Sequence, residues 1–217
     1  MQYTVEMDNF ETILVEQFGT NEPIFIGEIK SLFPYVTEVT IFNWLNNALE
    51  EETLRKYQRG VYYLPDKTDL LGLGERTLSP NKVIMKKYIS NLEDVYGFRS
   101  GLNLDNEVHI SPQVPATLEI TTNKASARVR EIEPFGGYRK ITLKRPRVGI
   151  TKENVDAQRF LDVITRVPLE ALSNFERKRM AEFTQEVEKA RVLDCLPYYP
   201  AKTSKKLMES GYFDVLA

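Results

Sequence analysis

Chain breakers constrain the first part of this chain more than any other feature does. Gly19, Pro34 and Gly60 cut it into short segments, each with its own hydrophobic period. After Asp8, a good N-cap whose carboxylate can accept free backbone N–H groups, Phe10, Ile13, Leu14, Gln17 and Phe18 fall at helical spacing, and Gly19 ends the run. Pro23 to Ile26 read as extended. Glu28 to Phe33 predict a short helix, stopped by Pro34, which cannot continue the hydrogen-bond ladder. Thr37 caps a third helix, with Ile41, Leu45, Ala48 and Leu49 as its apolar stripe and Phe42 and Trp44 flanking it. Glu50, Glu51 and Glu52 close it, an unfavourable place for carboxylates against the helix dipole. Leu54–Tyr57 and Val61–Pro65 flank the Gly60 turn as a hairpin. Three helices and a hairpin within residues 1–68 predict a winged helix-turn-helix, whose third helix suits a DNA major groove and whose hairpin is the wing.

Residues 69–80 read as a linker. Gly72, Leu73 and Gly74 are loop-like, and no GKS or GKT follows to make them a phosphate loop. The remainder, 81–217, opens with a helix over 81–90 and a second near 92–104 that contains Tyr96, Phe98 and Leu102. Strands are expected at 117–122, 127–132 and 139–144, the last two joined by a turn at 135–138. Helices return with a cap at Thr151 or Asn154, another at Ser173, and a last run over 201–208. The predicted class is α+β: an N-terminal winged helix-turn-helix domain followed by a mixed α/β domain with an antiparallel sheet and C-terminal helices.

Composition narrows the function. The 217 residues are 42% hydrophobic, enough for a sizeable core. Cys195 is the only cysteine and His109 the only histidine, which excludes an intramolecular disulfide, a Cys-based zinc site within one chain and a two-His metal site. A Ser-His-Asp triad would have to use His109, which has no motif partner. Glu28-Ile29-Lys30 matches the E-x-K tail of metal-dependent nucleases, but it falls on a predicted helix without convergent carboxylates. No catalytic residue, metal site or cofactor is therefore expected. No long apolar run or basic leader pattern appears, which predicts a soluble cytoplasmic protein without a membrane partner.

The net charge of −2 conceals an asymmetry. Residues 1–68 hold five basic against eleven acidic residues, a net −6, and the rest carries +4. Residues 124–147 alone hold eight basic residues against two acidic ones.

Residues 96–154 add a likeness. Tyr96-Gly97-Phe98 with Ser100-Gly101-Leu102, Ser111-Pro112-Gln113-Val114-Pro115, Glu119-Ile120-Thr121-Thr122-Asn123, Arg145-Pro146-Arg147, and Ile150-Thr151 with Asn154, in that order, resemble AbiEi-type proteins. These are antitoxin-like transcriptional regulators of type IV toxin–antitoxin systems, built from an N-terminal winged helix and an α/β domain. The resemblance implies operon autorepression through double-stranded DNA. It also implies neutralisation of a nucleotidyltransferase-like toxin without tight direct binding.

The third helix presents Glu38, Thr40, Asn43, Asn46 and Asn47 away from its apolar stripe. Asn suits bidentate contact with adenine, and Thr can touch a base or a phosphate; the alternative is a solvated face. Arg55, Lys56 and Arg59, on or beside the wing, are candidate phosphate contacts. A homodimer on an inverted-repeat operator follows from two-fold recognition. The second basic surface comprises Lys124, Arg128, Arg130, Arg139, Lys140, Lys144, Arg145 and Arg147, with Arg128 and Arg130 on one strand face. It suits nucleic acid or an acidic partner, or is a solvated face paired to nearby carboxylates. Gln113 and the Ser100-Gly101 pair read as turn residues, and Cys195 as a small buried hydrophobe. An acidic head also leaves open a protein–protein adaptor in place of a DNA binder.

Overall fold

A computed structural model describes residues 7–66, 77–134 and 139–217. The expected linker residues Gly72, Leu73 and Gly74, and the turn at 135–138, lie outside the described residues. The chain is α+β and divides into two compact units, Met1–Lys86 and Lys87–Ala217.

In the first unit α1 spans Met7–Phe18. Helical backbone already includes Met7, so Asp8 lies inside the helix rather than capping it. Gly19 ends α1 in the left-handed region (φ +73°), its N–H donating to Val15 O at 2.8 Å. The two-residue strand β1, Ile24–Phe25, leads straight into α2, Ile26–Leu32. That helix starts two residues earlier than the sequence predicts, because the Glu28 carboxylate accepts the Phe25 N–H at 2.8 Å and satisfies a free donor at the helix start. Thr37 caps α3, Glu38–Glu50, with Oγ1 accepting the Thr40 N–H at 3.2 Å. Ile41, Leu45 and Ala48 of α3 are buried as the spacing requires.

The unfavourable acidic end of α3 is offset by its neighbours. The N–H groups of Thr53 and Leu54 and the Thr53 hydroxyl all donate to Ala48 O, at 3.0–3.1 Å. Strands β2, Arg55–Gln58, and β3, Val61–Tyr63, then form the expected hairpin, and Gly60 turns it at φ +74°. β1 joins its far side, so the antiparallel sheet runs β1-β3-β2. The core centres on Phe10, Phe33 and Trp44, whose ring centroids lie 5.5–5.7 Å apart, with Leu14, Ile29 and Leu45 around them.

Helix α4, Pro80–Tyr88, begins on proline, whose missing N–H costs nothing at a first helical position. Lys82 pairs with Glu22, and Lys86 pairs with Glu28 at 2.9 Å and donates to Pro23 O at 2.6 Å. Residues 80–86, read from the sequence as linker end and second-domain start, thus belong to the first compact unit.

The second unit departs from expectation at its start. In place of a helix over 92–104, Ser90 bridges to Val95, and β4 follows at Gly97–Arg99. The Asn91 side-chain Oδ1 accepts the N–H groups of Glu93 and Asp94, a local turn that competes with helix. Gly97 is packed so tightly that a Cβ would lie 2.0 Å from Tyr88 O. Gly101 (φ +63°, ψ −147°) sits in a region that only glycine adopts without strain, and a Cβ there would meet the Glu119 carboxylate at 2.5 Å. Only then does the short helix α5, Leu102–Glu107, begin.

Strands β5, Leu118–Thr122, β6, Val129–Ile132, and β7, Ile141–Lys144, complete a four-stranded sheet of order β4-β5-β7-β6. The β6–β7 pair is antiparallel, as the expected hairpin requires; β4, a strand the sequence did not predict, pairs antiparallel with β5, but β5 and β7 run parallel. The C-terminal helices are α6, Val155–Arg166, α7, Asn174–Gln185, α8, Lys189–Cys195, and α9, Ala201–Glu209. Ser173 opens α7 with a capping box: its hydroxyl accepts the Glu176 N–H, and the Glu176 carboxylate accepts the Ser173 N–H. Helix α6 is the centre of the core, its Ala157, Phe160, Leu161 and Ile164 buried among Phe98, Leu104, Met180, Val192 and Leu207. No helix among the described residues is long and apolar enough to cross a membrane.

Candidate nucleic-acid interface and a basic cleft

On α3 the candidate residues divide. Asn43 and Asn46 are exposed, one turn apart, with no side-chain partner among the described residues. Thr40 is half-buried, and its hydroxyl lies 2.8 Å from that of Thr37, so the helix cap already uses it. Asn47 is half-buried and makes contacts of its own. In the hairpin, Lys56 and Arg59 are exposed, while Arg55 is half-buried and already engaged. The acids are unevenly neutralised. Lys30 pairs with Glu38 at 2.8 Å, but Glu50, Glu51 and Glu52 remain exposed at the helix end.

Exposed apolar side chains stand beside these residues: Phe42, which the sequence places flanking the stripe, and Tyr35 and Val39, which the sequence reading did not single out. Tyr35 is 100% exposed, Val39 71% and Phe42 41%. Val39 and Phe42 lie in the first turns of α3 and Tyr35 in the loop before it, so an aromatic and a β-branched residue mark its N-terminal end. Their signal was available: Val39 falls outside the stripe set by Ile41, Leu45 and Ala48.

The second basic surface also divides. Arg139 clamps the 115–116 loop by donating to Pro115 O at 2.6 Å and Ala116 O at 3.3 Å. Lys140 pairs with Glu133 at 3.5 Å, Lys124 lies over the Tyr96 ring, and Arg130 reaches Ser126 Oγ at 3.4 Å. The other four, Arg128, Lys144, Arg145 and Arg147, line one cleft of about 440 Å³. Arg128 precedes β6 and Arg130 lies within it, so strand alternation does not carry both into the cleft.

Sheet register builds that cleft. Thr121 on β5 pairs with Lys144 on β7, and Lys144 pairs with Val129 on β6, so three strands place these residues side by side. Because β5 and β7 are parallel, both deliver their C-terminal ends to the same edge. Helix α6 forms the opposite wall through Gln158 and Asp162, and Tyr199 closes it.

The wall of α6 is held by a chain of bonds. The Thr151 N–H donates to Asn154 Oδ1 at 2.9 Å, and Asn154 Nδ2 donates to Gly149 O at 2.8 Å, which fixes the Asn154 amide. Gln158 Nε2 donates to that same Oδ1 at 3.0 Å and to Gly149 O at 3.3 Å. Gln158 is fully buried, and its Oε1 is left without a partner. Tyr199 Oη donates to the Gln158 backbone O at 3.2 Å, and burial pushes this phenol well above its ordinary value.

Asp162, one turn further along α6, also has a sealed oxygen, Oδ2, that makes no hydrogen bond and faces Arg166 as an ion pair. Burial raises its carboxyl above the ordinary aspartate value, against the pull of Arg166, whose guanidinium lies 3.7 Å away. Arg166 in turn grips the buried Asp105 carboxylate with both nitrogens and donates to Gly101 O at 3.0 Å. Asn154, Gln158, Asp162 and Arg166 recur every fourth residue, a polar line through an apolar helix that the sequence reading passed over.

The remaining candidates take structural places. Asn123 clamps Ile150 from both sides, Nδ2 donating to Ile150 O and Oδ1 accepting the Ile150 N–H at 2.8 and 2.9 Å. The Gln113 N–H donates to Ser111 Oγ at 3.2 Å, and its side chain is exposed. Glu28 pairs with Lys86 and caps α2. His109 is exposed at φ +59°, and Cys195 is buried, its thiol pushed up by that burial. Among the described residues no group of three His, Cys, Asp or Glu side chains is placed to hold a metal ion. No known family model matches the chain, and no curated protein matches it.

Proposed function

We propose that the chain is a DNA-binding transcriptional regulator of AbiEi antitoxin type, and that its first unit is a winged helix-turn-helix. The observation that carries this reading is the order α1-β1-α2-α3-β2-β3 with sheet order β1-β3-β2, which leaves Asn43 and Asn46 exposed and unbonded on α3. In this reading α3 enters a major groove, the two asparagines meet adenine edges, and the N-terminal Val39 meets a thymine methyl. Lys56 and Arg59 of the hairpin contact phosphate. Two copies occupy an inverted repeat upstream of the chain's own cytoplasmic operon, and the repressor counteracts a nucleotidyltransferase-like toxin. The reading contains no catalytic step.

A mobility-shift assay with DNA from upstream of the operon, at two salt concentrations, tests it. Binding at low salt is expected, and its absence sinks the reading. Changing Lys56 and Arg59 together to Ala is expected to weaken binding on all sequences and to reduce the salt slope by about 2. Asn43→Ala is expected to cost about 1–3 kcal/mol of discrimination at one base pair only. Co-expression with a neighbouring nucleotidyltransferase checks the antitoxin role by rescue of growth.

The exposed Tyr35, Val39 and Phe42, in a segment of net charge −6, favour a second reading, a protein–protein adaptor. It predicts no DNA shift and loss of partner capture on Tyr35→Ser.

A further inference from the structure

The cleft between the sheet edge and α6 has features that a solvated basic surface does not need. Its rim is cationic. Arg128 makes no side-chain hydrogen bond or ion pair among the described residues, and Arg147 has only the Tyr199 ring, 5.3 Å from its guanidinium carbon. Arg145 is exposed and donates one nitrogen to Ser126 O at 3.0 Å. Lys144 is neutralised by Glu119, so the rim's surplus charge comes from the arginines. Arginine forks match phosphate oxygens bidentately, and a concave site with a low-dielectric wall strengthens that attraction.

Its wall lacks donors. Gln158 Oε1 is sealed from water and unbonded, and the hydrogen bonds of Gln158 Nε2 leave the amide no freedom to flip; Asp162 Oδ2 makes no hydrogen bond and has only its 3.7 Å ion pair with Arg166. A buried acceptor without a donor is destabilising, so Gln158 Oε1 marks a place on this wall where a donor is missing. Gln158 and Asp162 both line the cleft, on the wall that a ligand's amino group would face. At about 440 Å³ the cleft falls in the range of small-molecule sites. Duplex DNA has phosphates for the rim, but its base amino groups lie on the groove floors and cannot be inserted against α6.

We infer that this cleft binds a free nucleotide, its phosphate held by Arg128, Arg145 and Arg147 and an amino-bearing base edge turned to Gln158 and Asp162. The inference does not depend on the DNA-binding reading. A chain that fails every operator assay still binds the nucleotide, and an operator binder with an empty cleft refutes only the nucleotide.

Calorimetric titration of the full chain with AMP, GMP, CMP and UMP, with adenosine, inorganic phosphate and a 5′-phosphorylated oligonucleotide, tests it. At least one amino-bearing nucleotide is expected to bind at least tenfold tighter than UMP, adenosine and inorganic phosphate. Arg128→Ala is expected to weaken that nucleotide at least tenfold with the fold intact by circular dichroism, since the side chain has no structural partner among the described residues. Gln158→Leu is expected to narrow the gap between that nucleotide and UMP. Should Gln158→Leu not fold, the Arg128→Ala and Arg147→Ala titrations decide the matter alone. Three results each overturn the proposal: mononucleotides no tighter than inorganic phosphate, binding unchanged in both arginine variants, and binding of the oligonucleotide only.

Discussion

The two units solve opposite problems with similar raw material. In the first, an aromatic cluster of Phe10, Phe33 and Trp44 fixes a small scaffold, and the polar residues of α3 stand on its outside, Asn43 and Asn46 exposed and unbonded. In the second, a polar line runs along α6: Gln158 is fully buried, and Asn154, Asp162 and Arg166 extend the line, with Arg166 bound to Asp105 and the Gln158 backbone to Tyr199. Exposed side chains on a rigid helix suit a partner whose surface brings its own hydration and charge. Pinned, partly unsatisfied groups suit a small ligand that must be oriented. Where the polar atoms are spent distinguishes the two surfaces better than charge does.

The largest tests separate the two cores. Phe10→Ala and Phe160→Ala each remove a fully buried ring and are expected to cost about 4 kcal/mol. Hydrogen exchange should localise each loss to its own unit. Phe160→Ala opening α3 amides as much as α6 amides would show that the units share one cooperative core.

A smaller effect probes the polar line. Arg166→Ala leaves the buried Asp105 carboxylate unpaired and is expected to cost about 3 kcal/mol, while Arg166→Lys retains part of that. Chemical denaturation of the three proteins checks the order. Equal stability would mean that water replaces the guanidinium and that this end of the line is not pinned.

Next comes the α7 cap. Ser173→Ala removes the hydroxyl that accepts the Glu176 N–H and is expected to cost about 1 kcal/mol, read as a shift in the melting temperature.

The smallest effect is a slope. Burial raises the Asp162 carboxyl, so the folded chain holds that proton more tightly than the unfolded one. Stability therefore falls as pH rises from the ordinary aspartate value through the raised one, and is level above it. Asp162→Asn should flatten that part of the profile and make the chain more stable at neutral pH. A profile that falls just as steeply would place the titration elsewhere.

Much of the local structure was legible. The Thr37 cap, the Ile41-Leu45-Ala48 stripe, the Gly60 turn and the Ser173 cap were readable because each depends on neighbours within one or two turns. The 92–104 segment misled. Tyr96, Phe98 and Leu102 mimic helical spacing, but the Asn91 turn, the packed Gly97 and the conformation of Gly101 set a strand there instead. Three of the seven residues expected to meet DNA, Thr40, Asn47 and Arg55, have contacts of their own, which periodicity cannot reveal.

The sequence by itself determined the α+β class, the positions of most helices and hairpins, and the acidic-to-basic change along the chain, because these follow from local periodicity, caps and composition. Only the tertiary structure decided that β5 and β7 run parallel, which of the eight basic residues converge, and that Gln158 keeps an unbonded oxygen beside them. Those outcomes rest on contacts such as Tyr199 with Gln158 and Lys144 with Glu119, 41 and 25 residues apart. No local pattern encodes such pairs; the packing of the whole unit selects them.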